Sequence, residues 1–232
     1  VLKDEVLKMK MTVMLRAGKG VAAYVRRQMK DPFCRQAREH EYRARSAFKL
    51  TEIDDKHRFL RPGCVVLDVG AAPGSWIQVS VERVDPERTG GSVIAIDLQA
   101  MMPIPGALLL PERDIRDVSC HSEIAKLLTG RSVDCLLSDM APSPTGDSST
   151  DHTRILSLCR SLLDSFGQEE KKLLRLSKRA IFLCKIWDGS EKNEFLSFLS
   201  TKFASVRTVK PLASRDSSSE LYILSREPIH VK

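Results

Sequence analysis

The sequence has no uninterrupted apolar run approaching the roughly 20 residues that a membrane-spanning helix requires, which argues against a membrane protein or a membrane partner. Its six cysteines include no Cys-x-x-Cys pair, so neither a zinc site nor a disulfide framework is supported and no metal is expected. Cys135 and Cys184 lie inside apolar stretches, where a thiol behaves as a small hydrophobe, and they read as buried free thiols of a reducing compartment. There is no G-x-G-x-x-G, which counts against a nicotinamide dinucleotide site, and no G-x-x-x-x-G-K-[ST], which counts against a P-loop nucleotidase. Internal repeats and low-complexity segments are absent as well. Residues 6–30 contain no acidic side chain, and no serine occurs before Ser46.

What is present is ordinary in bulk and uneven in charge. The 232 residues are 42% hydrophobic and 29% charged, enough for a substantial globular core. The net charge is +7, and residues 1–45, with 12 basic and 5 acidic side chains, carry all of it. Such asymmetry marks either an arm that faces nucleic acid or a targeting segment. Residues 6–30 are amphipathic, basic and acid-poor like a mitochondrial transit peptide, although they lack its serines. The chain therefore divides into a basic N-terminal arm or targeting segment, 1–30, and a single domain, 31–232.

Within that domain, helical and strand patterns alternate. A helical pattern covers 34–57, with Tyr42, Phe48 and Ile53 as core contacts, and Arg61-Pro62-Gly63 breaks it before a strand at 64–69. Helices follow at 74–84, near 120–128, near 152–166 and at 190–202. Strands follow at 92–97, 107–110, 133–138, 179–185, 203–209 and 220–225. This is the pattern of an α/β, doubly wound, mostly parallel seven-stranded sheet. Only a loop separates the last two strands, too short for a crossover, so the last strand is expected to be antiparallel. That arrangement is found in Rossmann-like, S-adenosylmethionine-dependent methyltransferases.

The ligand of such a sheet sits at the carboxyl ends of its strands. Gly70 and Gly74 bracket the turn Gly70-Ala71-Ala72-Pro73-Gly74 after the first strand, where backbone can approach a ligand ahead of a helix N-terminus. Asp97 ends the second strand, placed to accept from two ribose hydroxyls, and Asp114 follows the third, placed for an adenine amino group. Asp139 ends the fourth and would face a cationic moiety. Each acid alone reads more readily as a helix cap. Three at successive strand ends beside the glycine turn favour a ligand.

Four residues carry the chemistry in distinct contexts. Lys49 lies in Arg45-Ser46-Ala47-Phe48-Lys49-Leu50 and Asp139 in Ser138-Asp139-Met140-Ala141-Pro142. Lys185 closes Ile181-Phe182-Leu183-Cys184, and Glu220 opens Leu221-Tyr222-Ile223-Leu224. With Leu67–Trp76, these segments resemble the FtsJ-type ribosomal RNA 2′-O-methyltransferases and their Lys-Asp-Lys-Glu tetrad. The resemblance covers about residues 31–226, and Asp31-Pro32-Phe33 is most similar to the mitochondrial branch.

The resemblance implies S-adenosylmethionine as donor, a uridine 2′-hydroxyl of large-subunit ribosomal RNA as acceptor and a mitochondrial matrix location; the sequence leaves the oligomeric state open, a monomer being expected. It also raises Trp76, in Gly74-Ser75-Trp76, from core residue to cofactor wall. A ribose hydroxyl is a weak nucleophile whose proton must be drawn off as the bond forms. Lys185 is the candidate base, Lys49 would hold ribose or phosphate, and Asp139 and Glu220 would orient the lysines. Two departures stand out. Ser143 replaces the usual Asn, and Leu176-Ser177-Lys178-Arg179 replaces a Pro-Gly-Gly turn, which is expected to alter only a surface turn. The competing expectations are a methyltransferase for protein or small molecules, which would carry a motif such as Asn-Pro-Pro-Tyr, and an RNA-binding ribosome-assembly factor in the cytoplasm, nucleus or mitochondrion with vestigial activity.

Overall fold

The computed structural model describes residues 31–142, 145–167, 172–214 and 218–229. The basic arm 1–30 and Ser143 lie outside them. Seven strands form one sheet in the order β3-β2-β1-β4-β5-β7-β6. They are β1 (Val65–Val69), β2 (Ser92–Asp97), β3 (Leu108–Pro111), β4 (Val133–Ser138), β5 (Leu176–Trp187), β6 (Phe203–Val209) and β7 (Glu220–Pro228). All neighbours are parallel except at β7, which runs antiparallel to both β5 and β6.

The apolar runs that predict the central strands reflect burial on both faces, because helices cover the two sides of the sheet. Val65, Leu67 and Val69 of β1 pack with α5 (Val118–Leu128), α6 (Ser148–Asp164) and α7 (Lys192–Lys202). Val66 points the other way, toward α2 (Ser46–His57) and α3 (Ser75–Val84). The period-2 alternation therefore sends Asp68 to the α2–α3 face. It is fully buried there.

Three expectations from the sequence are corrected. The helical pattern at 34–57 is two helices, α1 (Pro32–Glu39) and α2, broken where Glu41 takes a left-handed φ of 58°. Asp31 caps α1, its Oδ1 accepting from the amides of Phe33 and Cys34. Tyr42 packs half-buried against the core as expected, whereas Phe48 does not reach it. They form a half-buried aromatic cluster with Phe33 and His40, while Ala47, Leu50 and Ile53 supply the buried face of α2. Leu176–Arg179 is the start of β5 and not a surface turn: Leu176 pairs with Val133, and without Gly or Pro the chain stays extended into the sheet. A four-residue helix, α4 (Pro86–Thr89), was not foreseen.

Buried Asp54 fixes where α2 ends. Its Oδ1 accepts from the amides of Phe59 at 2.9 Å and Leu60 at 2.8 Å, so the chain turns from α2 toward β1 without unpaired backbone. Asp54→Ala strands two buried donors and is expected to cost about 2 kcal/mol. Thermal denaturation should show Tm lower by roughly 4–8 °C. An unchanged Tm would mean that other groups satisfy those amides.

Candidate active site

The carboxyl ends of β1, β2 and β4 open onto a cavity of about 500 Å³. Gly70 forms its floor at φ 79°, where a Cβ would lie 2.5 Å from Met140 Cγ and 2.9 Å from its Cα. Only glycine lets the end of β1 pass this close to the loop after β4. The following turn is latched from outside. Arg43 donates to the carbonyls of Pro73 at 2.9 Å, Met102 at 2.7 Å and Pro103 at 2.7 Å.

The structure brings Gly70, Asp97, Asp114 and Asp139 to this one cavity. Asp97 caps no helix. Its Oδ2 accepts from Ala72 N at 2.8 Å, clamping the glycine turn, and its Oδ1 accepts from Gln99 N at 2.7 Å. Each carboxylate oxygen keeps a lone pair for a ligand. Asp114 is ion-paired with Arg116 at 2.6 Å, and hydrogen bonds from that guanidinium hold its carboxyl below the usual range. Any contact from Asp114 to a ligand must therefore share it with Arg116.

Pro73 and Gly74 shape the turn and do not line the cavity. Trp76 also departs from expectation. Its side chain is buried in the core against Tyr222, with the indole Nε1 donating to Ser46 O at 2.9 Å. It is not a cavity wall. What Trp76 can offer a ligand is its amide N–H, which in the first turn of α3 has no intrahelical acceptor.

Next to this cavity, four residues distant in sequence meet as two ion pairs. Lys185 Nζ donates to the carbonyl of Asp139 at 2.6 Å and lies 3.0 Å from its Oδ1. Lys49 Nζ lies 2.6 Å from Glu220 Oε1. Tyr222 joins them: its hydroxyl donates to Asp139 Oδ1 at 3.1 Å, and its ring lies 6.0 Å below Lys49 Nζ. Burial opposes ionisation of Glu220, but the charges of Lys49 and Lys185 and hydrogen bonds from Lys49 and Ser214 hold its pKa below the ordinary value. Tyr222 is pushed well above its ordinary value, by burial first and then by the charges of Asp139 and Glu220, so it remains a neutral donor.

Lys49 is aimed by the helix it sits on. Arg45, Lys49 and Glu52, spaced i, i+4, i+7, share one face of α2. Arg45 donates to Ala213 O, and Glu52 accepts from the amides of Leu212 at 2.6 Å and Ala213 at 3.0 Å. The loop thus held delivers Ser214, whose hydroxyl donates to Glu220 Oε1 at 2.9 Å.

Four residues with a part here were assigned none from sequence: Tyr222, Arg43, Glu52 and Asp68. Glu220 and Tyr222 are two apart on a strand, so a shared face was readable. The spacing of Arg45, Lys49 and Glu52 was readable as well. The targets of Arg43 are backbone carbonyls, which sequence does not reveal.

A chain with this sheet order, this glycine turn and these two ion pairs belongs to the FtsJ-like methyltransferase family, whose model matches residues 42–227. It is 49% identical over 203 residues to the Caenorhabditis elegans protein named "rRNA methyltransferase 2, mitochondrial", covering 88% of this chain and 92% of that one. It is 40% identical over 227 residues to "Ribosomal RNA large subunit methyltransferase E" of Parvibaculum lavamentivorans, covering 95% of this chain and 86% of that one. A Plasmodium falciparum crystal structure described as a ribosomal RNA methyltransferase superposes with a TM-score of 0.69 at 28% identity, covering 82% of this chain and all of that one.

Asp68 is the anomaly of the site. Both carboxylate oxygens are buried without a hydrogen-bond partner. Desolvation, with the charges of Asp139 and Asp97, raises its pKa well above the ordinary value. A raised carboxyl pKa means that the folded protein binds the extra proton, so stability falls as pH rises above about 4 toward the folded-state value. Asp68→Asn removes this dependence. The variant is expected to match wild type near pH 4 and to melt higher at pH 8. Equal melting curves at pH 8 would show that Asp68 carries no such penalty.

Proposed function

We propose that this chain transfers the methyl group of S-adenosylmethionine to the 2′-hydroxyl of a uridine in large-subunit ribosomal RNA, within mitochondria. The observation that carries the reading is the Lys185–Asp139 pair at 3.0 Å on the edge of an acid-lined cavity. The names borne by the relatives support ribosomal RNA, the large subunit and the mitochondrion. The basic composition of residues 1–30 supports an arm that is either a targeting segment or a contact for RNA phosphates, ahead of one domain over 31–232.

The residues present fit this donor. Gly70 and Ala72 bring the backbone of the turn after β1 to the cavity, which suits close approach of a ligand. Asp97, Asp114 and Asp139 line the cavity with carboxylates, which suits a molecule carrying an ammonium and a sulfonium. When bound, S-adenosylmethionine would supply an electrophilic methyl group on its sulfonium, with a neutral thioether as the leaving group. Asp97 would accept from the donor's ribose hydroxyls, and Asp114 would take the adenine end.

Asp139 engages Lys185 Nζ twice, through its carbonyl and its carboxylate, which leaves the nitrogen's lone pair for the proton of the acceptor hydroxyl. The proton of the 2′-hydroxyl passes to Lys185 Nζ as the oxygen attacks. Lys49, oriented by Glu220, holds the acceptor's ribose or phosphate. Tyr222 links the two pairs, donating to Asp139 while its ring lies beneath Lys49.

Mass mapping of 2′-O-methyl groups on mitochondrial ribosomal RNA, with and without this protein, tests the reading. One uridine of the large subunit should lose its methyl group when the protein is absent, and an unchanged map would refute the assignment. Calorimetry tests the donor site. Asp97→Ala should weaken S-adenosylmethionine about 10- to 100-fold, the effect of losing hydrogen bonds to a charged acceptor. Undiminished affinity would remove Asp97 from the site.

A further inference from the structure

A second cavity, of about 420 Å³, lies between the first turn of α6 and the segment Trp187–Ser190 that leaves β5. It borders the tetrad directly. Its lining includes Ser219, the residue before Glu220, and Trp187, which is the Cα partner of Glu220 in the β5–β7 ladder. Asp188 N donates to Ser219 O at 2.7 Å and closes the junction.

His152 lines this cavity, is only 4% exposed, and has no hydrogen-bond partner on either ring nitrogen. Either tautomer carries one N–H donor and one bare acceptor, and leaving both unpaired in the interior is costly. One face of the ring is packed against Gly189, where a Cβ would lie 2.9 Å from Cγ and Nδ1. The ring is therefore held in place, and its polar edge is not used by the fold. At the same cavity, Ser148 and Ser149 open α6; the Asp147 carboxylate caps the amides of Ser149 and Thr150, and the Ser148 amide has no acceptor within the helix.

The lining selects among ligands. Asp151 and Asp188 both face the cavity, which disfavours a phosphate, an anion that only accepts hydrogen bonds. A neutral planar ring with carbonyl acceptors and an N–H donor answers the Ser148 amide and the imidazole together. Half-buried Trp187 adds an aromatic surface of the kind on which bases stack.

We infer that this cavity receives the pyrimidine base of the nucleotide being methylated, with His152 hydrogen-bonding its edge. Base capture here presents the attached ribose to Lys185 and makes His152 a specificity-determining residue. The inference rests on the RNA reading above and names the substrate group that reading leaves unplaced.

The test uses two synthetic fragments spanning the mapped site, identical except that one carries 3-methyluridine, which lacks the N3–H donor but keeps the 2′-hydroxyl. Single-turnover methylation by wild type should be about 10- to 100-fold slower on the 3-methyl fragment, the discrimination supplied by a buried hydrogen bond. His152→Phe keeps the ring volume and deletes both nitrogens. It should slow the unmodified fragment to near the 3-methyl rate, with S-adenosylmethionine affinity by calorimetry unchanged. His152→Asn, which can still hydrogen-bond, should recover part of the preference. Should His152→Phe fold poorly, Gly189→Ala, which displaces the ring without deleting it, should reduce the preference in the same direction.

A wild type indifferent to the N3-methyl group would overturn the inference. So would variants that slow both fragments in parallel while keeping the full preference. Absence of any methyl transfer by wild type to the unmodified fragment would instead refute the RNA reading, and the base site with it.

Discussion

The geometry of this site depends on one reversal of strand direction. In a parallel sheet, ligands gather where strands end. An antiparallel strand brings its beginning to that same edge. β7 enters between β5 and β6 and starts at Glu220, opposite Trp187, so that Lys185 faces Tyr222 across the ladder. Had β7 run parallel, Glu220 would lie at the far edge of the sheet. The loop before β7 then needs an anchor, and α2 supplies it through Arg45 and Glu52 while presenting Lys49 from the same face.

Charge is distributed with the same economy. The cavity over β1 and β2 is lined by the carboxylates of Asp97, Asp114 and Asp139, and Asp68 is buried in the strand beneath without a hydrogen-bond partner. The neighbouring centre balances two lysines against two acids, with neutral Tyr222 between them. A cationic donor on one side and a hydroxyl acceptor on the other would each meet a complementary field. The buried cost at Asp68 is consistent with binding-site residues that are less stable in isolation than with their ligand.

Much of this was legible before any coordinates. Alternation of apolar runs with helical patterns predicted seven strands and the antiparallel last one, because burial on both faces leaves a direct mark on composition. The strand-end acids were readable because strand ends are positions of known meaning in such sheets. The break between α1 and α2 was not readable, since it follows from the left-handed Glu41 and from long-range bonds made by Arg43 and Arg45. Trp76 was misjudged as a cofactor wall because a motif fixes a position and not a side-chain direction. The direction came from the partner surfaces of Ser46 and Tyr222. A turn is expected at residues 176–179 because the resembling family carries Pro-Gly-Gly there, and this chain, with neither residue, extends the strand instead.

Most directly decisive is single-turnover methyl transfer to a ribosomal RNA fragment by Lys185 variants. If Lys185 acts at the 2′-oxygen, Lys185→Ala should fold and bind S-adenosylmethionine nearly as wild type does, yet react about 10²–10⁴-fold more slowly. Lys185→Arg should fail as well, because a guanidinium stays protonated and cannot accept the proton. A near-normal single-turnover rate in Lys185→Ala would contradict the mechanism, leaving the fold and the family standing without it.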